Sequence, residues 1–182
     1  MAKKKWKKDT LKLKKDHLWK AKPGYTIFVA DRGAVRFDIP QGWIIEPGPE
    51  STKFYNGAAP KDDCRLECSY LRLPPIDWSG LPLSELIRVA VEGDHRSLVS
   101  TKKLVHVKRE GVELGWSEFR FVDPIEPREA FTRFCIGRGS NIQALITMDY
   151  WPEDAARFRP VWDEALRSLQ LGKYIQDPTT GV

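Results

Sequence analysis

The strongest periodic pattern of apolar and polar residues lies near the C-terminal end of the chain. Apolar residues alternate with polar ones in IQALITMDY (142–150), and a period of two places one set of side chains on the buried face of a β-strand. REAFTRFCI (128–136) precedes it. The intervening GRGSN (137–141) predicts a tight turn, because Gly and Asn tolerate the positive φ of short hairpin loops. These segments predict a β-hairpin.

An amphipathic helix is predicted directly after this hairpin. Its apolar residues follow steps of three and four, and they are Ala155, Phe158, Trp162, Ala165, Leu166 and Leu169. Pro152 suits the start of the helix, where one backbone amide is spare. Pro160 removes an internal hydrogen bond and predicts a kink, or a short turn before the main helix. We expect Phe158 and Trp162 to pack on the hairpin.

The same pattern predicts further strands upstream. They are YTIFVA (25–30), AVRFDI (34–39), STKFYN (51–56), CRLECSYLRL (64–73), KLVHVKRE (103–110) and VELGWSEFRFV (112–122). The last of these predicts a β-bulge near Gly115, because its apolar residues change face along the strand. A helix is predicted to start near Pro82 and to weaken at Gly93.

Several polar residues alternate with the core residues of these strands. We expect them to form an accessible face of the sheet, and they are Arg36, Asp38, Arg65, Glu67, Gln143 and Asp149. An accessible polar face is typical of an antiparallel sheet that buries its other side. The whole pattern predicts an α+β fold in which helices pack against an antiparallel sheet.

Positive charge is concentrated in the first 24 residues. This leader holds ten Lys against Asp9 and Asp16, so its net charge is +8 while that of the whole chain is +5. The body is therefore mildly acidic. Three interpretations stay open for the leader: a solvated mobile tail, a tail that binds a polyanion, or a short helix that docks on the body through Leu18 and Trp19. The candidate polyanion contacts are Lys3, Lys4, Lys5, Lys7, Lys8, Lys12, Lys14 and Lys15.

No pattern of reactive residues indicates catalysis or a metal site. Cys64 and Cys68 are four residues apart on one strand, about 13 Å, which is too far for a disulfide or a shared metal. Cys135 is also on a strand, so three buried free thiols and a reducing compartment are expected. The His residues show no metal-binding spacing, and GRGSN joins two strands instead of opening a helix as a phosphate loop does. We expect no cofactor.

Two short motifs and the order of the elements resemble the PsbP-like and Mog-like superfamily, which includes bacterial DcrB-type domains. The first motif is Phe-x-x-Pro-x-x-Trp at Phe37, Pro40 and Trp43, and the second ends the main helix at Trp162, Leu166, Ser168 and Leu169. The resemblance implies an antiparallel sheet with packed helices. It also implies a binding role, because members with known roles are generally photosystem subunits or assembly factors, Ran-binding proteins or secretion chaperones. The absence of an import or lipoprotein signal argues against a thylakoid-lumen role.

These observations lead to one expected organisation and three ranked hypotheses. We expect a leader at 1–24, a PsbP/Mog-like domain at 25–171 and a C-terminal tail at 172–182, with no membrane-spanning segment. The leading hypothesis is a non-catalytic binding, assembly or chaperone-like module of the cytoplasm with a protein partner. The second is a nucleic-acid or anionic-surface binder that acts through the leader. The third is a small-ligand pocket protein or an enzyme.

Overall fold

A computed structural model describes residues 11–182, and this part of the chain contains two α-helices and eleven strands. The helices are α1 (Leu83–Glu92) and α2 (Ala155–Ser168). The strands are β1 (Tyr25–Ala30), β2 (Val35–Pro40), β3 (Ile44–Pro47), β4 (Thr52–Tyr55), β5 (Cys64–Arg72), β6 (Val99–Ser100), β7 (Val105–Arg109), β8 (Val112–Val122), β9 (Glu129–Gly139), β10 (Ile142–Tyr150) and β11 (Gln170–Leu171). The predicted α+β class is confirmed.

The strands form two antiparallel sheets. The large sheet has the order β3-β4-β5-β10-β9-β8, and both β6 and β7 pair with the remaining edge of β8. The small sheet has the order β1-β2-β11, so the first predicted hairpin does not join the large sheet. Strand β3 was not predicted, because all four of its residues are exposed and no burial pattern marks them.

One face of the large sheet carries the main core, as the periodicity predicts. Ile142, Ile146 and Met148 of β10 are fully buried, and Trp162 of α2 is also fully buried against this face. The helix begins after a short 3-10 turn at Pro152–Asp154 and continues through Pro160. The predicted packing of α2 on the β9–β10 hairpin is therefore confirmed.

The opposite face of the large sheet is covered by α1, and β8 has no bulge. Strand β8 pairs with β9 in one continuous register from Glu113 to Val122. Leu114 faces the main core, whereas Phe119 packs under α1 together with Phe134. Both faces of the central strands are buried, so apolar residues occur on both faces without any change of register. The prediction of a bulge near Gly115 was wrong.

The glycines of GRGSN do not form the turn. Gly137 and Gly139 lie inside β9, and the reversal occurs at Ser140 and Asn141, where Ser140 has a φ of 51°. A Cβ atom on Gly139 would lie 2.4 Å from the carbonyl oxygen of Gly111. Glycine is therefore required at this position by close backbone packing, which the sequence pattern does not reveal.

Five of the six residues predicted on the polar face are partly exposed, and they are Arg36, Arg65, Glu67, Gln143 and Asp149. The six do not form one face, because Arg36 and Asp38 lie on β2 of the small sheet and the other four lie on β5 and β10 of the large sheet. Asp38 is only 4% exposed, which contradicts the prediction. The backbone N–H of Lys22 donates to its carboxylate over 3.4 Å, and its own backbone N–H donates to Ser168 Oγ over 2.8 Å. The leader and the end of α2 therefore cover this residue.

We predict that Gly139→Ala lowers the free energy of unfolding by about 2–3 kcal/mol, because the new methyl group meets a backbone atom that cannot move aside cheaply. Gly80→Ala is the matched control, since nothing lies within 4 Å of a Cβ there. We expect the control to change stability by no more than about 0.5 kcal/mol. Urea unfolding of both variants measures the difference, and equal stabilities would contradict the packing argument.

Candidate functional site

Part of the leader lies against the C-terminal tail. The backbone N–H of Lys14 donates to the carbonyl oxygen of Thr179 over 3.1 Å, and that of Leu18 donates to Thr180 over 2.7 Å. The Lys14 ammonium also meets the Asp177 carboxylate at 2.8 Å. That hydrogen bond, together with donors from Thr179, lowers the pKa of Asp177 to about 2. The leader and the tail are therefore joined by two backbone hydrogen bonds and one exposed ion pair.

Trp19 anchors the leader on the body. Its indole N–H donates to the carbonyl oxygen of Pro178 over 2.8 Å, and its ring packs so closely on Gly181 that a Cβ there would lie 2.9 Å from it. The guanidinium of Arg36, on β2, lies 4.8 Å from the centre of the ring. Of the three interpretations of the leader, docking on the body describes residues 14–19, but without the predicted helix and with Trp19 as the side-chain anchor. The prediction of Leu18 as a second anchor was wrong, because its side chain is 60% exposed. The domain boundaries stay a prediction.

An apolar groove of about 560 Å³ opens between the leader, β1 and the tail. Its apolar lining residues are Leu11, Leu13, Trp19, Ala21, Ile27, Val29, Ile175 and Pro178. The groove is open to solvent, because Leu11 is 55% exposed and Leu13 is 44% exposed. This groove combines the N-terminal leader and β1 with the distant C-terminal tail, and we take it as the candidate functional site.

The predicted polyanion contacts are only partly described by the structure. Lys12 and Lys15 are exposed, and neither forms an ion pair within residues 11–182, whereas Lys14 is paired with Asp177. The predicted contacts that lie outside the described residues are Lys3, Lys4, Lys5, Lys7 and Lys8. The structure therefore describes three of the eight predicted lysines, none of them among the residues that line the groove, and the role of all eight stays a prediction.

A buried polar cluster beneath α2 was missed by sequence reasoning. Arg133 of β9 is 3% exposed, and its Nε donates to Glu118 Oε2 over 2.8 Å from the paired position on β8. The Tyr150 hydroxyl donates to the same oxygen over 2.5 Å, and the Lys102 ammonium lies 3.0 Å from the second carboxylate oxygen, Oε1. Burial alone would raise the pKa of Glu118, but these hydrogen bonds outweigh it and lower the pKa to about 2.

Aromatic rings enclose the buried arginine. The guanidinium of Arg133 lies 5.6 Å from the ring of Trp116, 5.2 Å from Tyr150 and 5.8 Å from Trp162. Such contacts stabilise a cation that is removed from water. The cluster joins β8, β9 and β10 beneath α2, so we assign it a structural role.

One signal in the sequence could have located the cluster. Arg133 lies two residues from both Phe131 and Cys135, and a period of two places all three on one face of the strand. Glu118 has the same relation to Trp116. When one strand of a pair carries a positive residue at a core-facing position and the other strand carries a negative one, the pattern indicates a buried ion pair.

The thiols offer no reactive nucleophile. Cys64, Cys68 and Cys135 are buried and free, as predicted. Burial raises the pKa of the Cys68 thiol to about 12 and raises that of Cys135 further. A thiol in this state is inert at neutral pH, because the thiolate is the nucleophile.

The described part of the chain has neither a metal-binding cluster nor a membrane-spanning helix. Residues 11–182 contain no group of three or more His, Cys, Asp or Glu side chains arranged to hold a metal ion. Over the same residues, neither helix has the length and hydrophobicity needed to cross a bilayer.

Comparison with known proteins identifies the family. The model of the Alr1449 family matches residues 26–175. The chain belongs to the Alr1449 family. It is also 51% identical over 178 residues to the uncharacterized protein alr1449 of Nostoc sp. (strain PCC 7120), covering 97% of this chain and 93% of the relative. The match extends through the leader and the tail that form the groove, so both segments are present in this Alr1449-family relative.

Solved structures confirm the PsbP/Mog-like fold. Cyanobacterial PsbP (CyanoP) from Synechocystis sp. PCC 6803 is similar with a TM-score of 0.57 and 13% identity, covering 85% of this chain and 98% of that one. LpqN of Mycobacterium tuberculosis gives 0.54 and 10%, covering 80% and 89%. The Ran-binding protein Mog1p of Saccharomyces cerevisiae gives 0.51 and 11%, covering 81% and 95%. Identities this low establish the fold of the Alr1449-family chain and no shared activity.

We predict that Glu118→Gln lowers the free energy of unfolding by about 3–5 kcal/mol at pH 7, because it leaves Arg133 buried without a counter-charge. Glu129→Gln is the control. Its carboxylate is 51% exposed in a surface pair with Arg120, so the expected loss is below about 1 kcal/mol. Denaturant unfolding measures both losses, and a Glu118→Gln loss as small as that of the control would contradict the assignment.

The same variant tests the pKa of Glu118. A carboxyl whose pKa is about 2 in the folded state, against an ordinary value of 4.5, stabilises the fold above pH 4.5. This contribution is lost as the pH falls from 4.5 through 2. The difference in stability between the wild type and Glu118→Gln should therefore shrink over that interval, and a constant difference would show that Glu118 has an ordinary pKa.

Proposed function

We propose that this Alr1449-family chain is a non-catalytic binding module of the cytoplasm, and that a protein partner docks an apolar segment in the groove between the leader, β1 and the tail. The single observation that carries this proposal is the groove, where Leu13, Ile27 and Ile175 from three separate segments line one open apolar surface. The three inert thiols are typical of a protein that works in a reducing compartment without thiol chemistry.

The form of the groove favours an extended peptide segment. Strand β1 ends the small sheet, so one of its backbone edges has no neighbouring strand among residues 11–182. An added strand can form backbone hydrogen bonds there while its alternate side chains enter the groove. Covering Leu11 and Leu13 would stabilise the complex by about 25 cal/mol for each Å² of apolar surface buried.

The charges of the leader favour acidic residues in the partner. Lys12 and Lys15 are exposed residues of the same leader segment as Leu11 and Leu13, and neither has an ion-pair partner within the described residues. An apolar segment flanked by Asp or Glu would match both features. Complementary charge of this kind mainly raises the association rate and selects the partner.

The fold neighbours lend general support. Mog1p of Saccharomyces cerevisiae, which has the same fold, is a Ran-binding protein by name. This shows that the fold is compatible with binding another protein. Its 11% identity carries no binding residue to this chain.

The test compares Leu13→Asp with Leu71→Asp in the full chain. Leu13 is 44% exposed in the groove and Leu71 is 50% exposed on β5, so the two variants place the same charge on similarly exposed positions. A partner is first isolated from the native cell extract with the wild type and then purified. We expect Leu13→Asp to raise its Kd about tenfold, which corresponds to roughly 1.4 kcal/mol. Leu71→Asp should leave the Kd unchanged.

Two results would overturn the groove assignment. One is equal affinity of the partner for the wild type and Leu13→Asp. The other is an equal loss in both variants, which would indicate a general effect of added negative charge. Unchanged melting temperatures of the two variants would show that folding is not the cause of either result.

A second candidate function is binding of a nucleic acid or an anionic surface through the leader lysines. The exposure of Lys12 and Lys15 without ion-pair partners in the described region favours it. If about six leader lysines contact phosphates, the logarithm of the affinity should fall with the logarithm of salt concentration at a slope of about −4 to −5. Replacing the eight predicted lysines with Gln should remove this slope. Binding that is weak and independent of the replacements would exclude the function.

A further inference from the structure

A second cavity, of about 540 Å³, lies on the other side of the leader from the groove. It forms where the C-terminal end of α2, strand β11 and the β7–β8 turn meet residue 20. Five basic residues line it: Lys20, Arg36, Arg109, Arg167 and Lys173. The acidic lining residues are Asp38 and Glu110, and the hydroxyl-bearing ones are Ser140 and Ser168.

Four of the five cations have no carboxylate partner within residues 11–182. Arg167 is paired with Glu164, at 2.9 Å between Nε and Oε2. The guanidinium of Arg36 lies over the face of Trp19, and no ion pair is formed by Arg36, Lys20 or Lys173 in the described region. The cations of this cavity are therefore largely available to a ligand.

Arg109 is partly committed to the fold. Its Nη2 donates to the carbonyl oxygens of Leu166 over 2.8 Å and Leu169 over 2.6 Å. Carbonyl oxygens at the C-terminal end of a helix lack a partner within the helix. These bonds hold the guanidinium at the wall of the cavity. They use one of its three nitrogens, so donors remain for a ligand.

The two acids do not neutralise the cavity. Only two acids stand against five basic residues in the lining, and burial raises the pKa of the Asp38 carboxyl. Glu110 is exposed and forms no ion pair among residues 11–182. Burial lowers the pKa of both Arg36 and Arg109, and Arg167 lowers that of Arg109 further. Holding these cations together without a counter-ion is unfavourable, and an anion would relieve the cost.

We propose that this cavity binds a small phosphorylated ligand, with Lys20, Arg36, Arg109 and Lys173 as its contacts. Phosphate groups combine high charge with the oxygen geometry that guanidinium groups recognise. The volume lies within the range of small-molecule sites and exceeds what one inorganic phosphate fills. The Ser140 hydroxyl, at the β9–β10 turn, is positioned on the same wall. No residue that lines this cavity also lines the proposed partner groove.

The first experiment titrates the full chain with pyrophosphate by calorimetry at constant ionic strength. The test variant carries Lys20→Gln and Lys173→Gln. The control variant carries Lys53→Gln and Lys103→Gln, which remove two lysines that form no ion pair in the described region and do not line the cavity. Both variants therefore change the net charge equally. Neither changes Arg109, whose loss would disturb α2.

We expect the wild type to bind pyrophosphate, the test variant to bind at least about tenfold more weakly, and the control to stay within about twofold of the wild type. Tenfold corresponds to the loss of one charge-assisted hydrogen bond. Failure of the wild type to bind either pyrophosphate or the anionic vesicles of the second arm would overturn the proposal, and so would equal weakening of pyrophosphate binding in both variants. Each variant is first checked for an unchanged melting temperature.

A second arm distinguishes the source of the phosphate. Sedimentation with phosphatidylglycerol vesicles, compared with phosphatidylcholine vesicles, tests whether the ligand is a lipid headgroup. Vesicle binding that is lost only in the test variant assigns the cavity to a lipid headgroup. Pyrophosphate binding without vesicle binding assigns it to a soluble phosphorylated compound. Absence of both overturns the proposal.

Discussion

The buried charge of Arg133 is the constraint on which the centre of this protein depends. A guanidinium that is removed from water is tolerated only when it is paired and hydrogen-bonded, and here Glu118 on the neighbouring strand supplies the counter-charge. Tyr150 on the third central strand donates to the same carboxylate. A shift of one residue in either strand pairing would move one of these groups to the opposite face, so the cluster specifies the register of β8, β9 and β10.

The large sheet has little free surface, because other elements pack on both of its faces. Its main face is covered by α2 and the small sheet, and α1 packs on the residues of β8 and β9 that point the other way. Binding surfaces therefore arise at the periphery. The outer face of the small sheet is apolar at Ile27 and Val29, and it is only partly covered by the leader and the tail. The incomplete cover is what creates the groove.

The stacked pair of Trp19 and Arg36 joins the two candidate sites. Trp19 lines the apolar groove, and Arg36 lines the basic cavity. A ligand in either site would contact one member of this pair. The leader thus serves both as a wall of the groove and, through Lys20, as part of the cavity.

The amino-acid sequence by itself determined the elements whose burial is regular. Alternation in β10 and the three-four spacing of α2 predicted both elements and the burial of Trp162, because burial on one face imposes a period. The sequence also predicted the free thiols and, through its resemblance to the superfamily, the PsbP/Mog-like fold. The tertiary structure alone decided which glycines touch backbone, that both faces of β8 are buried and that Asp38 is covered. It also formed the groove and the cavity, because their residues lie up to 167 positions apart in the groove and up to 153 in the cavity, and only folding brings them together.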